Sequence, residues 1–190
     1  MVNDFYNKIK KALDEVDGDV VESVYKRMLK YQQQPEVSSY EDLAQPGRVF
    51  IIGNGGSCAI AEHISTDLNK RCRVKAHTLS NNSLATCLAN DYGYINTLSK
   101  WMELKQFGKD DFLIAISSSG KSNNILNAIQ YATNNFGSVF AIFGMNGSLE
   151  IGEEDQIENY FIHIDSHNYG VIELTTEIIL HGLVEDLVLR

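Results

Sequence analysis

A chain of 190 residues has room for one sizeable hydrophobic core, and 44% hydrophobic against 22% charged residues is ordinary for a globular protein in water. A net charge of −9 argues against a general nucleic-acid surface, which needs a basic face. No apolar run approaches the roughly 20 residues that cross a bilayer, and the start Met-Val-Asn-Asp-Phe-Tyr-Asn-Lys lacks the basic and apolar regions of a secretion signal. Cys58, Cys72 and Cys87 have no C-x-x-C spacing and read as reduced thiols. The expectation is a cytoplasmic protein with no membrane and no nucleic-acid partner.

Residues 1–33 read as helix, because Phe5, Ile9, Leu13, Val16, Val20, Val21, Val24, Met28 and Leu29 recur at roughly helical spacing. Gly18 is a point where this run divides, and Gln32-Gln-Gln-Pro35 ends it. Val16, Val20, Val21 and Val24 spread widely around the helix, more than one sheet face covers, so an oligomer is expected, most simply a tetramer. Residues 36–47 form a polar connector with modest helical character.

After Gly47 strands and helices alternate. The pattern predicts strands near 48–53, 74–79, 111–117, 138–144 and 159–165, and helices near 56–70, 82–90, 93–106, 122–135 and 168–188. Near-continuous apolar strands separated by helices imply a five-stranded parallel sheet covered on both faces. The organisation expected is one domain over 1–190, a helical segment 1–46 followed by an α/β core 47–190.

Two loops carry the functional signal. Arg48-Val-Phe-Ile-Ile52 runs into Gly53-Asn-Gly-Gly-Ser57 and then a helix. Backbone N–H groups at a helix start, here from Gly55, Gly56 and Ser57, favour an anion, and glycine lets the ligand approach closely. Neither common nucleotide fingerprint is present, so a small phosphorylated substrate is favoured over a nucleotide. About sixty residues later, Asp111-Phe-Leu-Ile-Ala-Ile-Ser117 runs into Ser117-Ser-Ser-Gly-Lys-Ser122, which places four hydroxyls around one glycine at the next helix start. Serine donates to phosphate oxygens without adding charge. The plainer reading is that these serines cap helices or fill turns, but two such loops at strand ends favour a shared site. Lys70-Arg-Cys-Arg73 reads mainly as cations placed at a helix C-terminus.

A third group lies on the helices. His63 and Asp67 are one helical turn apart, and Glu173, Glu177 and His181 follow at four-residue steps. Three arrangements fit: a divalent-metal set of His63, Asp67, Glu173 and His181, an acid–base pair, or a solvated stripe with a helix-supporting ion pair. For the metal set, Glu173 and His181 fall about 80° apart around the last helix.

Gly53-Asn-Gly-Gly-Ser57, His63-Ile-Ser-Thr-Asp67, Asn90-Asp-Tyr-Gly93 and Ile116-Ser-Ser-Ser-Gly-Lys-Ser122 together resemble the sugar isomerase (SIS) domain, and more narrowly the phosphoheptose (sedoheptulose-7-phosphate) isomerase group. The resemblance runs from about residue 48 to the terminal helix. It implies a flavodoxin-like α/β three-layer sandwich, usually tetrameric, with sites built between subunits. It implies isomerisation of sedoheptulose 7-phosphate to D-glycero-D-manno-heptose 7-phosphate, which feeds activated heptose for surface polysaccharide. The alternatives are a non-catalytic SIS protein that binds a protein partner or senses a sugar phosphate, and an isomerase of another sugar phosphate.

Carried over by position, Ser57, Ser117, Ser118, Ser119 and Ser122 hold phosphate and Asn54 lines the sugar. Asp91 contacts substrate or orders its loop, and Arg71 matches an arginine that follows the first core helix. His63 and His181 match histidines of zinc binding and catalysis, so one Zn²⁺ per subunit is implied. Asp67 is the candidate base, and His181 the candidate acid or a metal ligand. The chain departs from the family pattern where Asp67 stands for a usual glutamate and Glu173 for a usual glutamine, the latter in a segment, Val171-Ile-Glu-Leu-Thr-Thr176, that also lacks the family's flanking aspartate–arginine pair and following histidine.

Overall fold

Val49-Phe-Ile-Ile52 forms strand β1, and all four side chains are buried. Aliphatic and aromatic residues of this kind suit a pleated surface covered on both faces. In the computed structural model, which describes residues 2–33, 47–147 and 158–188, β1 is joined by β2 (Ala76–His77), β3 (Phe112–Ser117), β4 (Ser138–Gly144) and β5 (Asn159–Ile164). All pairs are parallel, in the order β2-β1-β3-β4-β5. The chain moves outward from β1 to β2, then crosses back to β3 on the other side of β1. The crevice between the C-terminal ends of β1 and β3 is therefore the topological switch point.

Helices α1 (Val2–Asp14), α2 (Gly18–Leu29), α3 (Gly56–Arg71) and α7 (Tyr169–Val188) share one face of the sheet, and α4 (Asn82–Tyr92), α5 (Thr97–Leu104) and α6 (Asn123–Asn134) the other. Period-two alternation divides each strand between the two cores. Val49, Ile51, Phe112, Ile114 and Ile116 face Val24, Met28, Ile60, Ile64, Leu180 and Val184. Phe50, Ile52, Leu113 and Ala115 face Leu88, Trp101, Met102, Ile125 and Ala128. Among the described residues no helix is long and apolar enough to cross a membrane.

The five expected strands and the alternating helices are present, with three differences of detail. β2 is only two residues long, and Val74 just before it makes an antiparallel bridge with Gln32. The helix expected over 93–106 starts later: Gly93, at φ +79°, ends α4, a single 3-10 turn spans Tyr94–Asn96, and α5 follows. The N-terminal run does divide at Gly18, where the Asp17 carboxylate accepts hydrogen bonds from the N–H groups of Asp19 and Val20 and caps α2. The connector over 36–46 lies outside the described residues.

Val24 is buried, and Val16, Val20 and Val21 pack against the core of their own chain. Helix α7 and strand β5 together cover more of this segment than one flat sheet face would, so these valines do not by themselves call for a neighbouring subunit.

The lower end of the β1–β3 pair is held by one ion pair. The Arg48 backbone N–H and Nε donate to Asp111 Oδ1 at 2.8 and 3.0 Å, and Nη2 donates to Oδ2 at 2.7 Å. The same guanidinium donates to the carbonyls of Lys105 and Gln106. The Asp111 side chain is 7% exposed and that of Arg48 29%. Asp111→Ala is expected to destabilise the protein by about 2–4 kcal/mol in urea unfolding, somewhat below the cost of breaking a wholly buried pair because Arg48 keeps contact with water. A loss under about 0.5 kcal/mol would class the pair with ordinary surface ion pairs.

Candidate functional site

The chain leaves β1 at Ile52 and turns at once into α3. Gly55 takes φ +56° and ψ −123°, a conformation that glycine adopts without strain, and no side chain caps the helix that begins at Gly56. Ser57 is buried in the first turn. Beside it β3 ends at Ser117, and the chain passes through Ser118, Ser119 and Gly120 into α6. Ser122 holds the cap position of α6, yet its hydroxyl makes no cap hydrogen bond. Ser119 Oγ accepts from the Lys121 N–H at 3.2 Å. The hydroxyls of Ser117 and Ser118 are buried and have no hydrogen-bond partner. A buried hydroxyl without a partner carries a desolvation cost of about 1–3 kcal/mol, so these two stand ready for an acceptor.

The two loops are tied together by side chains that the sequence pattern did not single out. Asn54 and Asn124 exchange amide hydrogen bonds, each 2.9 Å, and Tyr94 Oη donates to Asn54 Oδ1 at 2.8 Å. Asn124 is the second residue of α6 and Tyr94 directly follows Asn90-Asp-Tyr-Gly93, so the motifs bracket both residues without naming them. These three residues and Cys58 line a cavity of about 120 Å³. Burial, with the nearby Glu62 charge, pushes the Cys58 thiol up, so it stays protonated near neutral pH; all three cysteines are free. Asp91 is exposed on α4 and is engaged locally, accepting from Asn90 Nδ2 at 2.9 Å and from the Cys87 thiol at 3.4 Å.

A second cluster lies further along α3, where α7 packs beside it. His63 Nε2 stands 3.9 Å from Asp67 Oδ2, and His181 Nδ1 stands 3.9 Å from the same oxygen. The two rings are T-shaped, with centroids 4.9 Å apart. One donor atom from each of His63, Asp67 and His181 lies within 4.8 Å of the others. Contacts step forward together on both helices: Gly56 meets Glu173, His63 meets Glu177, and Arg71 meets Glu185. The helices therefore run parallel.

Two expected site residues fall elsewhere. Glu173 does not join the histidines: a Cβ on Gly56 would lie 2.6 Å from its carboxylate, which therefore covers the start of α3. Glu173 and His181 are only about 80° apart around α7, but the eight-residue step between them rises about 12 Å along it. The carboxylate found beside both histidines is Glu177, 3.6 Å from His63 Nδ1 and 4.0 Å from His181 Nε2. Arg71 does not reach the phosphate-type loops of its own chain. It lies about 22 Å along α3 from Gly56 at 1.5 Å per residue, and it pairs with Asp67 at 3.6 Å and Glu185 at 2.8 Å.

A parallel sheet in this order, with two small-residue loops at its switch point and polar side chains converging on the first core helix, defines a doubly wound α/β protein built to bind a small ligand. The chain belongs to the SIS domain family, whose model matches residues 34–144. It is 39% identical over 110 residues to a phosphoheptose isomerase of Cytophaga hutchinsonii, covering 55% of this chain and 57% of that one. It is 35% identical over 132 residues to a phosphoheptose isomerase of Histophilus somni, covering 67% of each. The match thus spans little more than half the length of the Cytophaga protein. Across nearly the whole chain the fold is like that of a phosphoheptose isomerase from Neisseria gonorrhoeae, with a TM-score of 0.80 at 21% identity, over 98% of this chain and 94% of that one.

Ser118→Ala is expected to leave thermal stability unchanged or slightly raised without ligand, because the lost hydroxyl has no partner. It should weaken inorganic phosphate binding by roughly 2- to 13-fold, the worth of one neutral hydrogen bond at about 0.5–1.5 kcal/mol. Thermal unfolding across a phosphate titration reads both effects, and a variant with wild-type phosphate affinity would remove Ser118 from the anion site.

Proposed function

We propose that the chain is an aldose–ketose isomerase that converts sedoheptulose 7-phosphate to D-glycero-D-manno-heptose 7-phosphate, in the cytoplasm and on the route to activated heptose for surface polysaccharide. The observation that carries the isomerase reading is the convergence of His63, Asp67 and His181 on the helix that begins in the first anion-type loop. The choice of a seven-carbon substrate rests on similarity to proteins named phosphoheptose isomerases.

In this reading the phosphate sits between the two loops, on Gly55, Gly56 and Ser57 from one side and Ser117, Ser118, Ser119 and Ser122 from the other. The paired amides of Asn54 and Asn124, with Tyr94, meet the sugar hydroxyls. Phosphate binding away from the reacting carbons supplies positioning energy. A base removes a proton from C1 of the ketose while the C2 oxygen gains one, which gives an enediol. Proton return to C2 and proton loss from O1 leave the aldehyde at C1. Without a metal, Asp67 is the proposed proton acceptor and His181 the proposed donor to oxygen.

Two imidazoles and a carboxylate within 4.8 Å form a donor set that suits Zn²⁺. His63, Asp67 and His181 would hold it, and a bound zinc would polarise a substrate carbonyl in place of that acid–base pair. Arg71 offsets the Asp67 charge from the outer side and is itself held by Glu185. Glu173 is left a role at the phosphate end, where its carboxylate on Gly56 must move aside for an anion. Asp91 is proposed to order its loop rather than to touch substrate.

Residues 1–190 act as one SIS domain in this account, and the working form is a homotetramer with shared sites. His63 and Asp67 lie about 10 and 16 Å along α3 from its start, so the loops and the cluster of one chain sit well apart. Leu174 and Ile178 are exposed on α7 beside Glu177 and offer an apolar surface to a neighbour.

Turnover with sedoheptulose 7-phosphate, with and without added Zn²⁺, tests the proposal. Wild-type protein is expected to isomerise it, and His181→Ala to lose at least about 100-fold in kcat with its circular dichroism unchanged. Binding of the sugar phosphate without turnover under either condition would instead support a non-catalytic sensor, and turnover of another ketose phosphate alone would change the substrate. Sedimentation is expected to give a tetramer; a monomer at micromolar concentration would overturn the shared site.

A further inference from the structure

We infer that Glu177 is the positioning carboxylate of this centre, on which both imidazoles rest, so that each ring presents its other nitrogen to the Asp67 side. The inference rests on the zinc reading above and adds a residue to it. The four side chains form a closed ring in which histidine and carboxylate alternate. His63 turns Nε2 toward Asp67 and Nδ1 toward Glu177. His181 turns Nδ1 toward Asp67 and Nε2 toward Glu177. Both histidines approach the same oxygen of Glu177, Oε1, at 3.6 and 4.0 Å.

A neutral imidazole donates from one nitrogen and accepts at the other. A histidine that holds a metal uses its lone pair for the ion, and its remaining N–H is usually taken by a carboxylate or carbonyl. The group whose donor atoms lie within 4.8 Å is His63, Asp67 and His181, and Glu177 does not join it. The metal side of the ring is therefore the Asp67 side. The lone pairs belong on His63 Nε2 and His181 Nδ1, and the N–H groups on His63 Nδ1 and His181 Nε2. At 3.6 and 4.0 Å the two N–H groups stand just outside hydrogen-bond distance of Glu177 Oε1, and drawing in to it on metal binding sets the tautomer of both rings, which stand at 78° to each other. The two histidines use opposite nitrogens because they come from different helices and meet face to edge.

The test measures zinc affinity on metal-stripped protein by competition with a chromophoric chelator, for wild type, Glu177→Ala, Glu177→Gln and Glu173→Gln. Glu177→Ala is expected to weaken zinc binding by about 10- to 100-fold. Glu177→Gln keeps an oxygen that accepts one N–H, so it should lose less, though at least about threefold. Glu173→Gln should stay within about threefold of wild type. Long-range nitrogen–proton NMR of the zinc-loaded protein should show ligation through Nε2 of His63 and Nδ1 of His181. A Glu177→Gln variant that folds and keeps wild-type affinity overturns the inference while leaving the metal reading intact. Reversed tautomers overturn it as well, because they put the ion on the Glu177 side. Wild-type protein that takes up no zinc overturns both.

Discussion

The parallel pairing of β1 with β3 is the constraint on which the rest depends. Val49 lies opposite Phe112 and Ile52 opposite Ala115, and the register is locked from below by the Arg48–Asp111 pair. Because side chains alternate with period two, a slip of one residue would turn Ile51 and Ile114 into the opposite core. Correct pairing ends β1 at Ile52 and β3 at Ser117 beside each other at one edge of the crevice. Two loops sixty residues apart in sequence become one crevice, and the hydrogen bonds between Asn54 and Asn124 join its walls.

Polar chemistry in the molecule is sorted along α3. At its start no side chain caps the helix, the neighbours are hydroxyls, glycines and the Glu173 carboxylate, and an anion is favoured there once that carboxylate moves aside. Two and three turns further on, two imidazoles and two carboxylates face one another, flanked by Arg71. α7 runs parallel to α3, so its four-residue stripe of Glu173, Glu177, His181 and Glu185 is laid out in step with Gly56, His63, Asp67 and Arg71. Burial of Val171, Ile172, Thr175, Ile179, Leu180 and Val184 on the other sides of α7 fixes the rotation that turns this stripe toward α3.

The site combines a rigid base with unsatisfied groups. The sheet residues beneath it are fully buried aliphatics and aromatics, whereas the hydroxyls of Ser117 and Ser118 have given up water without gaining a partner. In the proposed reading a phosphate supplies those hydroxyls with an acceptor, while the Arg48–Asp111 pair holds the opposite end of the same strands.

Much of this was legible in the chain itself. Apolar runs such as Phe112–Ile116 admit little but a buried strand, glycine at 55 and the serines after 117 mark phosphate-type turns, and His63 with Asp67 share a helix face whatever surrounds them. These are local properties, set by φ/ψ preference, period and helix geometry. Tertiary structure decided what a one-dimensional pattern cannot hold. It chose Glu177 over Glu173 as the carboxylate beside the histidines, because the relative height of α3 and α7 depends on how their buried faces mesh. It set Arg71 beside Asp67 and Glu185, far from the phosphate-type loops of its own chain, because a helix of this length carries its last turn far from its first. It also brought in Asn124 and Tyr94, whose partner Asn54 is distant in sequence and becomes a neighbour only once the β1–β3 register is made.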